Sequence, residues 1–120
     1  MMLGQVRQRF PRVTLTLPGQ AGPLELEFVV DTAFDGDLAV PSEIARRLDA
    51  QPLGRRGLSL ADGSLFVSGA LEIEMDWQGE ARLTEVLILD GSPLLGVVLM
   101  EGLHLGADME AGGEVSLELL

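Results

Sequence analysis

An all-β domain with one or two short helices is the fold class this sequence predicts, and three observations carry it. Apolar and polar residues alternate with period two along several stretches; Gly- and Asp-rich turn signals separate those stretches; and helical periodicity is sparse. With 120 residues the chain is expected to form one domain, residues 1–120. A hydrophobic fraction of 47% supplies a core despite a net charge of -11.

Taken in order, the first alternation sets Val13, Leu15 and Leu17 against Thr14 and Thr16. Leu24, Leu26 and Phe28 against Glu25 and Glu27 follow, in a strand expected to run Leu24–Val30. The clearest case is Leu71, Ile73, Met75 and Trp77 against Glu72, Glu74 and Asp76, a half-buried strand with one acidic face. The chain closes on Val115, Leu117 and Leu119 against Glu114, Ser116 and Glu118. Turns are expected at 18–23, 61–64, 78–80 and 110–113. Ser42 is placed to cap a helix reaching Leu48, with Arg46 and Arg47 near its C-terminus. A second helix is expected from Val97 to Glu101, stopped by Gly102.

The charge balance, 8 Lys and Arg against 19 Asp and Glu, repels phosphate backbones, so no nucleic acid partner is expected. With no cysteine there is no thiolate nucleophile and no disulfide. His104 is the only histidine and lies in an alternating stretch that reads as strand or surface, so acid–base work falls to carboxylates. The first ten residues hold no apolar run of signal-peptide length. The longest uncharged apolar run, Pro93–Met100, is far short of the roughly 20 residues of a membrane span. A soluble, cytoplasmic protein with no membrane partner is the expectation.

Chemistry is concentrated where the strand Leu24–Val30 ends in Asp31, Thr32, Ala33, Phe34, Asp35 and Gly36. An acid at the end of an apolar strand fits a catalytic carboxylate, but the local pattern by itself favours a solvated turn aspartate bonding its own backbone. Asp31, Asp35 and Asp37 around Gly36 have the residue types of a calcium loop, but the spacing fails. Counting Asp31 as the first ligand puts Ala33 third and Ser42 twelfth, where a carboxylate should close the cage, and no metal is expected.

Val29, Val30, Asp31, Thr32 and Ala33 resemble the hydrophobic, hydrophobic, Asp, Thr, Gly signature of retropepsins and pepsins. Asp31–Pro41 is similar to the corresponding segment of small bacterial retropepsin-like aspartic proteases. Leu94, Leu95 and Gly96 resemble the second signature, two hydrophobics and a glycine, and Leu60–Gly69 lies where the family has its flap hairpin. The resemblance spans nearly the whole chain. It implies a closed retropepsin-like barrel and an aspartic endopeptidase that is active as a homodimer, cuts extended polypeptide segments and needs no cofactor.

By that resemblance Asp31 of two subunits activates water and Thr32 bonds across the two-fold axis. Gly96 lets the chain pass close behind the catalytic loop, and Phe34, Asp35, Leu60, Ala61, Asp62, Gly63 and Gly96 lie against substrate. Ala33 stands where the family usually has glycine, which leaves an inactive peptide-binding or dimerisation module as the alternative.

Overall fold

The period-two pattern is laid out in the computed structural model, which describes residues 1–59 and 62–120, as ten strands and two one-turn helices. These are β1 (Met2–Arg7), β2 (Phe10–Leu17), β3 (Leu24–Val30), β4 (Leu38–Val40), α1 (Ser42–Ala45), β5 (Gln51–Ser59), β6 (Leu65–Trp77), β7 (Glu80–Ile88), β8 (Leu94–Leu95), α2 (Val97–Met100), β9 (Leu103–Ala107) and β10 (Glu114–Leu119). Three of the four turns expected from the sequence fall between strands: 18–23 joins β2 to β3, 78–79 joins β6 to β7, and 110–113 precedes β10. Of the fourth, 61–64, residues 62–64 lie between β5 and β6, and Ala61, like Leu60, lies outside the described residues.

The strands form one sheet in the order β5-β6-β7-β4-β8-β3-β2-β1-β10-β9. Its neighbours are antiparallel except for β3 with β8 and β4 with β7. The inward residues of the alternating strands meet in one core: Val13, Leu15 and Leu17 from β2, Phe28 from β3, Ile73, Met75 and Trp77 from β6, and Val115 and Leu117 from β10. Burying each large side chain of this set contributes about 1.5–3 kcal/mol, so this face fixes strand register.

The closed barrel expected from the resemblance is not formed as a hydrogen-bonded ladder. β5 and β9 are its two ends, and no pairing joins them among the described residues. The sheet curls until β2 and β6 face one another through side chains in the core. β5 cannot continue the closure because none of its side chains is buried; it stands out with the start of β6 as an arm. A bulge between Pro52 and Gly54 and the charges of Arg55 and Arg56 mark it as an edge.

α1 is shorter than the expected Ser42–Leu48. Pro41 precedes it, and no side chain caps it, so Ser42 is not the cap. Beyond Ala45 the bonds tighten to Arg47 N–H on the Ile44 carbonyl and Leu48 N–H on the Ala45 carbonyl, a 3₁₀ pattern that ends the turn. α2 runs Val97–Met100 from Gly96, and Gly102 takes φ +85° just beyond it. No helix among the described residues is long and apolar enough to cross a membrane.

Candidate active site

β3 delivers Asp31. Phe28 and Val30 anchor the strand in the core, and the chain leaves the sheet at the next residue, so the Asp31 carboxyl emerges half-buried at a rigid edge. The loop 31–37 then returns to β4, and β8 lies between β3 and β4, parallel to the first and antiparallel to the second. The Asp31 N–H donates to the Leu95 carbonyl at 2.9 Å, and the Val29 N–H donates to the Pro93 carbonyl at 2.9 Å. A loop straddled in this way has little freedom to swing.

Inside the loop the Ala33 N–H donates to Asp31 Oδ1 at 2.9 Å, and the Phe34 N–H donates to the Asp31 carbonyl at 3.2 Å. One carboxylate oxygen is therefore oriented by backbone. Ala33 is not among the residues with positive φ, so its methyl costs no backbone strain. The loop carbonyls in turn receive the start of α2: Gly96 N–H on Asp37 at 2.8 Å, Val97 N–H on Phe34 at 2.9 Å and Val98 N–H on Gly36 at 3.1 Å. These bonds satisfy donors that a helix start leaves without an internal partner.

Gly96 is buried directly behind the loop. A Cβ there would fall on the Gly36 carbonyl oxygen and 2.7 Å from the Phe34 oxygen and Cδ2. Close approach, not backbone conformation, demands glycine, since its φ is -100°. The Phe34 ring is itself buried, in a small second cluster with Ala39, Ala70 and Leu87.

Two hollows meet at Asp31. The larger, about 470 Å³, has Asp31, Ala33, Phe34 and Asp35 on one side and Arg56, Gly57, Leu58 and Ser59 of β5 on the other, with Glu85 and Leu87 of β7 between. The arm is tied over this cleft by an ion pair, Arg56 Nη1 to Glu85 Oε2 at 3.1 Å. The smaller hollow, about 360 Å³, is lined by Phe10, Arg12, Thr32, Ser92 and Leu94 as well as Asp31. Phe10 is 53% exposed there, with the Arg12 guanidinium 5.9 Å from its ring centroid.

Of the residues singled out in the sequence, Asp31, Ala33, Phe34 and Asp35 share the larger cleft, with Phe34 as its buried floor. Thr32 is exposed and faces the smaller hollow. Gly96 supports the loop from behind and does not line the cleft, because the chain it belongs to is pressed against the core side. Leu60 and Ala61 lie outside the described residues. Asp62 and Gly63 stand in the exposed turn between β5 and β6, beyond the cleft wall, which is built by 56–59.

Arg56, Leu58, Glu85 and Leu87 were not legible as cleft residues. The run Leu83–Ile88 places apolar residues on both faces of its strand, so alternation does not say which face meets the cleft. His104 is exposed on β9. The Asp37 carboxylate does not converge with Asp31 and Asp35: it turns to Arg82 Nη2 at 3.1 Å and to the Glu85 N–H at 3.0 Å.

At the arm's turn the Ser64 hydroxyl donates to Asp62 Oδ1 at 2.6 Å and the Ser64 N–H donates to the same oxygen at 2.9 Å. The hydroxyl first and the amide second hold the Asp62 carboxyl below its ordinary value of 3.8. A depressed folded value means that the contribution of this turn is present above 3.8 and is lost only as pH falls through the lower folded value. An NMR titration should place the Asp62 midpoint below 3.8, and Ser64→Ala should raise it. A wild-type midpoint at or above 3.8 would contradict this reading of the turn.

Compared with protein-family models, curated proteins and solved structures, the chain has no match.

Proposed function

We propose that this chain is one subunit of a homodimeric, retropepsin-like aspartic endopeptidase. The observation that carries the reading is the setting of Asp31: a carboxyl at the end of a core strand, oriented by the Ala33 N–H, on a loop braced by β8 and backed by Gly96, facing a cleft covered by a strand arm. Hydrolysis by this route needs two carboxylates about 3 Å apart that share one proton, one drawing a proton from water while the other protonates the carbonyl oxygen. One chain carries one such loop. An isologous dimer places Asp31 twice in one site, with the smaller hollow around Phe10 and Thr32 turned toward the partner.

The cleft suits an extended peptide. Its walls combine Leu58, Leu87 and Phe34 with backbone at Gly57, so an apolar side chain is received beside groups able to bond main chain. The second reading, a module that binds peptide without cutting it, is favoured by the Ala33 methyl, which lines the cleft where a glycine would leave room.

Digestion of an unfolded polypeptide from about pH 3 to 7 separates the two readings. The protease reading expects cleavage with a bell-shaped profile, because only the singly protonated pair is competent. Saturable binding with no cleavage at any pH in that range would overturn it in favour of the binding module.

A further inference from the structure

Asp37 is 8% exposed and closes the loop that Asp31 opens. Its carboxylate is fully engaged, one oxygen by Arg82 and the other by the backbone N–H of Glu85, one residue before β7 begins its parallel pairing with β4 at Val86. Its carbonyl accepts the Gly96 N–H at 2.8 Å, while the Asp31 N–H is held by the neighbouring Leu95 carbonyl. Both ends of the loop are thus fixed to the consecutive residues Leu95 and Gly96, and Asp37 adds hydrogen bonds to β7 where Phe34 adds apolar packing against Leu87.

From β7 the same contacts continue outward. Glu85, whose amide bonds Asp37, carries on its side chain the ion pair with Arg56 on the arm. Arg82 has a buried Nε with no partner among the described residues. The hydrogen bond that the Arg82 side chain makes among the described residues is the one to Asp37. As a contribution to stability the pair is modest, because the Arg82 side chain is 38% exposed. Its geometry is specific, because the two carboxylate oxygens tie the end of the loop to two points of one strand, β7.

We propose that Asp37 is a positioning residue for Asp31: it fixes the far end of the loop, and through it the Ala33 N–H that orients the Asp31 carboxylate, and it links that loop to the arm over the cleft. The catalytic consequence rests on the protease reading of Asp31; the positioning itself does not. Asp37→Asn replaces one acceptor oxygen by a donor facing Arg82 or the Glu85 amide, so one of the two bonds must fail.

The test is amide NMR of the full chain. In Asp37→Asn the Ala33 and Gly96 amide resonances should move and their hydrogen exchange should accelerate about tenfold or more, while Gly79 in the distant β6–β7 turn stays in place. Arg82→Met should do the same, and Arg82→Lys, which keeps a charged donor, should restore the wild-type positions. Arg82→Met also keeps the question decidable if Asp37→Asn does not fold. Where cleavage is measurable, kcat should fall about tenfold with KM within about twofold. Lower melting temperatures with Ala33 and Gly96 unmoved would overturn the proposal and leave Asp37 a stabilising ion pair. Moved amides in a protein that cuts no peptide would sink the protease reading and leave the positioning intact.

Discussion

Asp31→Asn is expected to reduce polypeptide cleavage on the order of 10³–10⁴-fold while leaving the fold in place. The loss follows from chemistry: an amide can neither take a proton from water nor share one with the opposite carboxylate. The retention follows from the contacts. The side-chain carbonyl oxygen of the introduced asparagine can still accept the Ala33 N–H, and the bond from residue 31 to the Leu95 carbonyl is backbone. The side chain is only half-buried, so the expected stability change is within about 0.5 kcal/mol. Because each site needs both chains, mixing equal amounts of wild-type and substituted subunits should leave only about one quarter of dimers with two carboxylates at random pairing. Activity that falls to half, and no lower, would point to independent sites.

Gly96→Ala is expected to have the largest effect on the structure, about 3 kcal/mol of destabilisation and loss of the cleft geometry. The added methyl meets backbone on one side, the Gly36 and Phe34 carbonyls, and the buried Phe34 ring on the other. Neither side yields cheaply, since those carbonyls accept the Val98 and Val97 amides and the ring fills the second cluster. Denaturation midpoints and the Asp31 and Ala33 amide signals report the two parts of the effect. A variant with unchanged stability and unchanged amides would show that β8 and the loop can separate at little cost. Gly63→Ala is the matched control for a different reason, since its site is open and only its φ of +84° resists a side chain.

Strands with one wet face and one dry face were legible. β2, β3, the second half of β6 and β10 all alternate, and the apolar residues of those alternations lie in the main core or pack against it, except Leu119, which is exposed. β1 was hidden because its hairpin turn is Gln8–Arg9, both with positive φ, where glycine or asparagine would have signalled the turn. β4 and β8 were hidden for a different reason: they are only two or three residues long and almost wholly buried, so no period can be read from them. β5 has no buried side chain and thus no pattern.

The candidate site divides in the same way. Asp31 and its neighbours are contiguous in the chain and were visible as a motif. The opposite wall is assembled by pairings between segments far apart in the chain, and nothing local in Arg56 or Glu85 announces it. Asp37 was noticed only as an unsuccessful calcium ligand, because its partners Arg82 and the Glu85 amide lie 45 and 48 positions along the chain.

The most direct test of the central claim is the distance between the two Asp31 carboxylates in a crystal structure of the protein at a concentration where it is dimeric. The account predicts two carboxylates within hydrogen-bonding reach across a two-fold axis, about 3 Å apart. Asp31 carboxylates far from one another, in a dimer built on another face or in a chain that stays monomeric, would contradict it.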